Sequence, residues 1–318
     1  MNKKPDIWLI IKWIILLIAW TYVVYNIVYA PDLGMLLTIF KNLSLTDFLI
    51  FALVIVLIPI NWGIESFKWH LLLKPLHYHS FKKCFIGVIR GVSVGLATPN
   101  RLGEFAGRIM DIPVEKRASA GTLSISGSIS QLFITFFAGV IGFSFIAFSF
   151  AESKSLFAIN NIILLLIGFV LMLILLIFFF NTKTIAAWAN KLPLIKKHTQ
   201  FSDGISNLRG RDGLKIMLLS LFRYFIFIHQ FYLLIYIFQI DISYLYAICS
   251  IASVYFIMAV LPIISAGEAG VRGSISILIF GIFTNQPAAI FAVSLLLWIL
   301  NIAIPAMVGS IFILKKVD

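Results

Sequence analysis

Long apolar runs separated by short polar or basic connections organise this chain from end to end. Runs long enough to cross a bilayer as helices cover residues 7–28, 48–62, 122–148, 160–180, 215–238, 244–261 and 288–314. Two further stretches are apolar but broken by Gly and Pro. The first is 84–110, containing GVSVGLATPNRLGEFAGRIM; the second is 262–283, beginning PIISAGEAGVRG. Both predict discontinuous or re-entrant helices, because irregular backbone at membrane depth survives only inside protein or against a wet cavity. The segment 65–79 mixes Glu, Trp, Leu, Lys and His and predicts an amphipathic helix at the interface, its histidines at head-group level rather than on a metal.

The expected architecture is therefore an all-α integral membrane protein. It has about eight transmembrane helices, one or two broken helices and two internally related halves. The whole chain, 1–318, forms one polytopic membrane domain. Its first half is 1–180, a basic loop runs over 181–214, and the second half is 215–318.

Composition agrees: 61% of the 318 residues are hydrophobic and 12% charged, and the mean hydropathy is +1.04, values outside the soluble range. The formal net charge of +12 is a topology signal rather than a nucleic-acid footprint, since the basic residues flank apolar runs. With the N-terminus in the cytoplasm, all of the 25 Lys and Arg except Lys41, Lys154, Arg223 and Arg272 fall on the cytoplasmic side. Both termini are then cytoplasmic, in a multi-pass protein of the cell membrane. The basic run at 191–198 reads first as a topological signal and second as a contact for anionic lipid. Cys84 and Cys249 sit in apolar surroundings and read as small buried hydrophobes. No cofactor or metal-ligand spacing is visible.

The candidate chemistry lies in the two broken stretches. Each carries the same spacing, Gly103-Glu104-x-x-x-Arg108 and Gly267-Glu268-x-x-x-Arg272, and each follows a proline, Pro99 or Pro262. Glu and Arg four apart share one helix face. Such groups are costly in hydrocarbon, so they must pair, reach water or bind a charged ligand. Pro99, Gly103, Pro262, Gly267 and Gly270 are the expected structural breaks. Thr98, Asn100, Arg101, Glu104 and Arg108 from the first stretch, and Ser265, Glu268 and Arg272 from the second, are the expected cavity residues. Arg223, eight or nine residues into its own span, joins them. Guanidinium groups suit a phosphate, which they bind in bidentate fashion. A helix restarting near Asn100 would also present an N-terminus to an anion.

At these residues the sequence resembles the transmembrane region of lysylphosphatidylglycerol synthase, the flippase-like domain family of bacteria and archaea. That family shows Thr-Pro-x-Arg-x-Gly-Glu followed by Arg; Thr98, Pro99, Arg101, Gly103, Glu104 and Arg108 match. Its second motif is similar to Pro-x-Ser-x-Gly-Gly-x-Gly-x-Arg-Glu. Ser265, Gly267, Gly270 and Arg272 match, and Pro262 stands one residue further upstream. Glu268 occupies the place of the second Gly, and Gly273 that of the Glu. The resemblance implies a stand-alone flippase-like protein without the lipid-synthesising domain, hence not an enzyme. Its expected partner is a membrane phospholipid or lipid-linked substrate with an anionic head group, and homo-oligomerisation stays open. Two alternatives are an enzyme acting on lipid head groups, with Glu104 and Glu268 as an acid/base pair, and a non-catalytic accessory subunit of envelope-lipid or polysaccharide assembly.

Overall fold

The structure is a computed structural model. It describes residues 43–76, 80–96, 98, 101–149, 210–261 and 267–314, with isolated positions at 21 and between 166 and 177. The expected spans 7–28 and 160–180, the loop up to residue 209, and Pro99, Asn100, Pro262 and Ser265 lie outside the described residues. Everything described is helix and connection. In chain order the helices are α1 (Leu45–Leu73), α2 (Phe81–Leu96), α3 (Gly103–Ile109), α4 (Val114–Ser149), α5 (Gly210–Ile237), α6 (Tyr244–Val260), α7 (Glu268–Phe280), α8 (Pro287–Trp298) and α9 (Ile304–Leu314).

Four stretches among the described residues are long and apolar enough to cross a membrane: Leu45–Leu76, Val114–Ser149, Asp212–Ile237 and Pro287–Ile313. Tyr244–Val260 is a shorter apolar helix. Large apolar side chains such as Phe48, Leu49 and Val56 on α1, and Phe222 and Phe225 on α5, are exposed. Only a lipid surrounding makes so apolar an exterior stable. The protein is a multi-pass membrane protein.

Helix α1 opens on a capping box: the Asp47 N–H donates to Ser44 Oγ and the Ser44 N–H to the Asp47 carboxylate. It then corrects the sequence reading of 65–79. The helix does not stop at Trp62 but continues to Leu73, and one face of its last three turns is buried, with Glu65, Lys68, Trp69, Leu72 and Leu73 inside. The mixed polar and aromatic pattern, read as an interfacial face, is a face turned into the protein. The buried turns meet partners for their polar groups, so burial wins over interfacial exposure.

The first broken stretch folds as a helical hairpin. Arms α2 and α3 pack directly on each other, and α2 also packs against α9 and α1. Glycines make the close approach possible: a Cβ added to Gly107 would lie 2.6 Å from the Gly91 Cα. Between the arms the chain reverses at Arg101, whose φ of 56° is left-handed, a conformation costing a non-glycine residue about 1–2 kcal/mol. Gly107→Val is expected to force the arms apart and destabilise the protein by about 1–3 kcal/mol. A lowered melting temperature in detergent checks this; an unchanged one would show that the arms are not held at this spacing.

In the second stretch α6 ends at Val260 and α7 begins at Glu268, with Gly267 as its N-cap. Gly270, expected to form part of the break, instead lies in the first turn of α7, exposed and with open space where a Cβ would stand.

Helix α8 does not pass directly into α9. Residues Ile299–Ala303 form a π-helical turn in which the Ile304 N–H reaches back to the Ile299 carbonyl. The cause lies in the sequence: Pro305 has no N–H, and its ring clashes with the carbonyl four residues earlier, that of Asn301. Widening the turn accommodates the ring. Such turns often accompany functional positions, and the residue at its centre is Asn301.

Candidate functional site

The bundle forms a half-open cavity of about 640 Å³, inside the range of roughly 300–1,000 Å³ typical of small-ligand sites. Arg101 and Glu104 from the hairpin, Arg223 from α5, and Glu268 and Arg272 from α7 all line it. The two Gly-Glu-x-x-x-Arg stretches, 164 positions apart in sequence by Glu104 and Glu268, thus face one space.

Glu65, which the sequence reading did not select, organises the charges behind this surface. Its Oε1 lies 2.8 Å from Arg108 Nη1. Its Oε2 lies 2.8 Å from Lys68 Nζ and 3.1 Å from Arg223 Nη1. One carboxylate therefore serves three cations from three helices, α1, α3 and α5. Arg108 extends the chain to Glu104 Oε2 at 3.6 Å, and Glu104 Oε1 meets Arg101 Nε at 3.0 Å.

Arg223 and Lys68 also have neutral partners. Arg223 Nε donates to Asn61 Oδ1 at 2.9 Å, and its guanidinium lies 5.1 Å from the Trp62 ring and 5.2 Å from that of Phe227. Lys68 donates to the Gly127 carbonyl and Ser220 Oγ, and Ser220 pairs with Ser130. Separately, Arg272 Nη2 donates to Glu268 Oε1 at 2.6 Å within α7. Of the two expected pairs, only this one is self-contained. Arg108 takes its shorter contact from Glu65 and reaches Glu104 at longer range.

Around the cavity and its supporting network, five cations (Lys68, Arg101, Arg108, Arg223, Arg272) stand against three carboxylates (Glu65, Glu104, Glu268). With all of them ionised, two positive charges are left uncompensated among the described residues.

Thr98 takes a place other than the expected one. Its hydroxyl accepts from the Gly103 N–H at 2.7 Å and donates to the Gly95 carbonyl. It fastens the hairpin turn rather than facing the cavity. The expected anion site at a helix start near Asn100 also moves: the helix begins at Gly103, whose N–H Thr98 takes, and Glu104 stands in its first turn. Gly103 itself sits too close to Val94 for any side chain.

The rest of the lining is of two kinds. Leu132, Phe227, Met258, Ala259, Val260 and Leu261 give an apolar wall, of which Val260 and Leu261 are exposed. Gln131, Tyr224, Tyr255 and Asn301 add neutral polar groups that the sequence reading did not single out. A lone Asn or Gln in a transmembrane run, four residues before a proline in the case of Asn301, is the signal that could have found them.

Helices broken around a charged cavity within a multi-pass membrane bundle define this class of protein. The family model for the lysylphosphatidylglycerol synthase TM region matches residues 8–309, nearly the whole chain, and the chain belongs to that family. Among curated proteins, none matches the chain.

Proposed function

We propose that this protein binds an anionic phospholipid or lipid-linked head group in its intramembrane cavity and moves it between leaflets. The carrying observation is one cavity, lined by both broken-helix motifs, around which the described residues place five cations against three carboxylates. In a low-dielectric surrounding an uncompensated charge is expensive, and an anion entering the cavity relieves it. A phosphate suits the guanidinium groups of Arg101, Arg223 and Arg272. The apolar wall at Met258–Leu261 suits the start of acyl chains left in the bilayer. Recurrence of the break-Glu-Arg unit in both parts of the sequence supports two internally related halves rocking about the cavity. Both termini lie in the cytoplasm on the charge distribution.

Transbilayer movement of labelled lipids in reconstituted vesicles tests this. Anionic lipids are expected to cross faster than in protein-free vesicles, and faster than zwitterionic ones. Arg223→Gln is expected to slow that movement about ten-fold, the loss of one charge-assisted contact. No acceleration with any anionic head group would reject the proposal. An enzyme acting on head groups is the second reading, favoured by Glu104 and Glu268 lining one cavity. It requires a chemically altered lipid in the same vesicles.

A further inference from the structure

Two neighbours on α1, Asn61 and Trp62, each bury an N–H group that finds no partner. Asn61 is 0% exposed and Trp62 4%. Among the described residues, Asn61 Nδ2 and Trp62 Nε1 make no hydrogen bond. A buried donor left unmade is destabilising, so neither polar end accounts for its side chain. The reason lies at the other end of each. Asn61 Oδ1 accepts from Arg223 Nε at 2.9 Å. The Arg223 guanidinium lies over the Trp62 ring, 5.1 Å from its centroid. Phe227, one turn further along α5, adds a second ring at 5.2 Å.

These contacts converge on a cavity-lining arginine, and all of them are neutral. Asp at position 61 would accept from Arg223 Nε equally well and would strand no amide N–H. It would also cancel the positive charge that the cavity presents. An amide oxygen and a ring face hold the guanidinium without cancelling it. Glu65 balances Arg223 only in part, because its Oε2 is shared with Lys68 and its Oε1 serves Arg108. With Nε on Asn61 and Nη1 on Glu65, Nη2 is the nitrogen these contacts leave over, and the side chain keeps 12% of its surface exposed.

We infer that Asn61 and Trp62 are positioning residues for Arg223. They fix its guanidinium at the cavity wall through neutral contacts, so its charge stays available to an anionic head group. This rests on the function proposed above and adds the device that keeps one of its arginines both fixed and charged. Asn61 is fully buried, so its effect on a ligand passes through Arg223.

The full-length protein in nanodiscs of zwitterionic lipid is titrated calorimetrically with short-chain phosphatidic acid, and its melting temperature is recorded alongside. Asn61→Asp keeps the acceptor and adds the cancelling charge. It is expected to melt at or above the wild type, yet to bind phosphatidic acid about ten-fold more weakly, the worth of one charge-assisted contact. Trp62→Leu is expected to weaken binding about five-fold, and Trp62→Phe, which restores an aromatic face, to recover most of that loss. In an Arg223→Gln background Trp62→Leu is expected to change the remaining affinity little, since the group it holds is gone. If Asn61→Asp does not accumulate, the Trp62 series decides alone. Wild-type affinity in Asn61→Asp, or an equal loss from Trp62→Leu with and without Arg223, would overturn the inference with the binding of anionic lipid still standing. No binding of phosphatidic acid by the wild type would instead overturn the function on which it rests.

Discussion

Glu65→Ala is expected to be the most damaging substitution in the membrane interior. Lys68, Arg108 and Arg223 share this carboxylate at 2.8, 2.8 and 3.1 Å, and its removal leaves three cations of three helices facing one another. Breaking a single buried pair costs about 3–5 kcal/mol, because the surviving charge stays desolvated; here more than one pair breaks at once. The purified variant should melt well below the wild type in detergent or fail to accumulate. Glu65→Gln keeps the shape and should suffer nearly as much, since charge rather than volume is lost. Adding Lys68→Met to Glu65→Gln should recover part of the loss. Arg108 then leans on Glu104, and Arg223 on Asn61 and the rings of Trp62 and Phe227. Normal melting of Glu65→Ala would mean that water or counter-ions, not Glu65, balance these cations.

The second large effect separates structure from function at α7. Glu268 and Arg272 pair with each other. Arg272→Met alone strands Glu268 and should cost both stability and lipid movement. Replacing both, as Glu268→Gln with Arg272→Met, removes the pair as a unit, a change that is often neutral for stability. The double variant should therefore melt near the wild type, and its loss should be smaller than the two single losses added together. Its lipid movement should nevertheless fall by at least about ten-fold, since one of the cavity's phosphate-binding arginines is gone. Full activity in the double variant would reduce the pair to a stake holding α7 in place.

Much of this arrangement is written locally in the chain, and some of it is not. The hairpin and the break before α7 are legible because Pro and Gly interrupt apolar runs, and few other residues can do so. The pairing of Glu268 with Arg272 follows from their spacing alone. Glu65 is hidden by its neighbours: Lys68, Trp69 and His70 make its turn look interfacial, and a Glu–Lys pair three apart looks like a surface pair. Its true role is a matter of counting. Arg101, Arg108, Arg223 and Arg272 outnumber Glu104 and Glu268, so a further buried acid was needed to hold the arginines together. Only the fold reveals that α1 continues past Trp62 to supply it. Thr98 shows the converse: a polar residue beside a charged motif spends its hydroxyl on the turn that positions the motif.

The central claim is that the cavity between the two motifs holds an anionic head group. The most direct measurement places a reporter in its wall. Thr135 lines the cavity from α4, and the native Cys84 and Cys249 are buried and give a slow background. The Thr135→Cys protein is labelled with a small maleimide in nanodiscs of purely zwitterionic lipid, and again in nanodiscs containing phosphatidylglycerol or phosphatidylinositol. The account predicts markedly slower labelling when the anionic lipid is present, and recovery of the rate in the Glu268→Gln, Arg272→Met background. Equal labelling rates in both lipid compositions would contradict it.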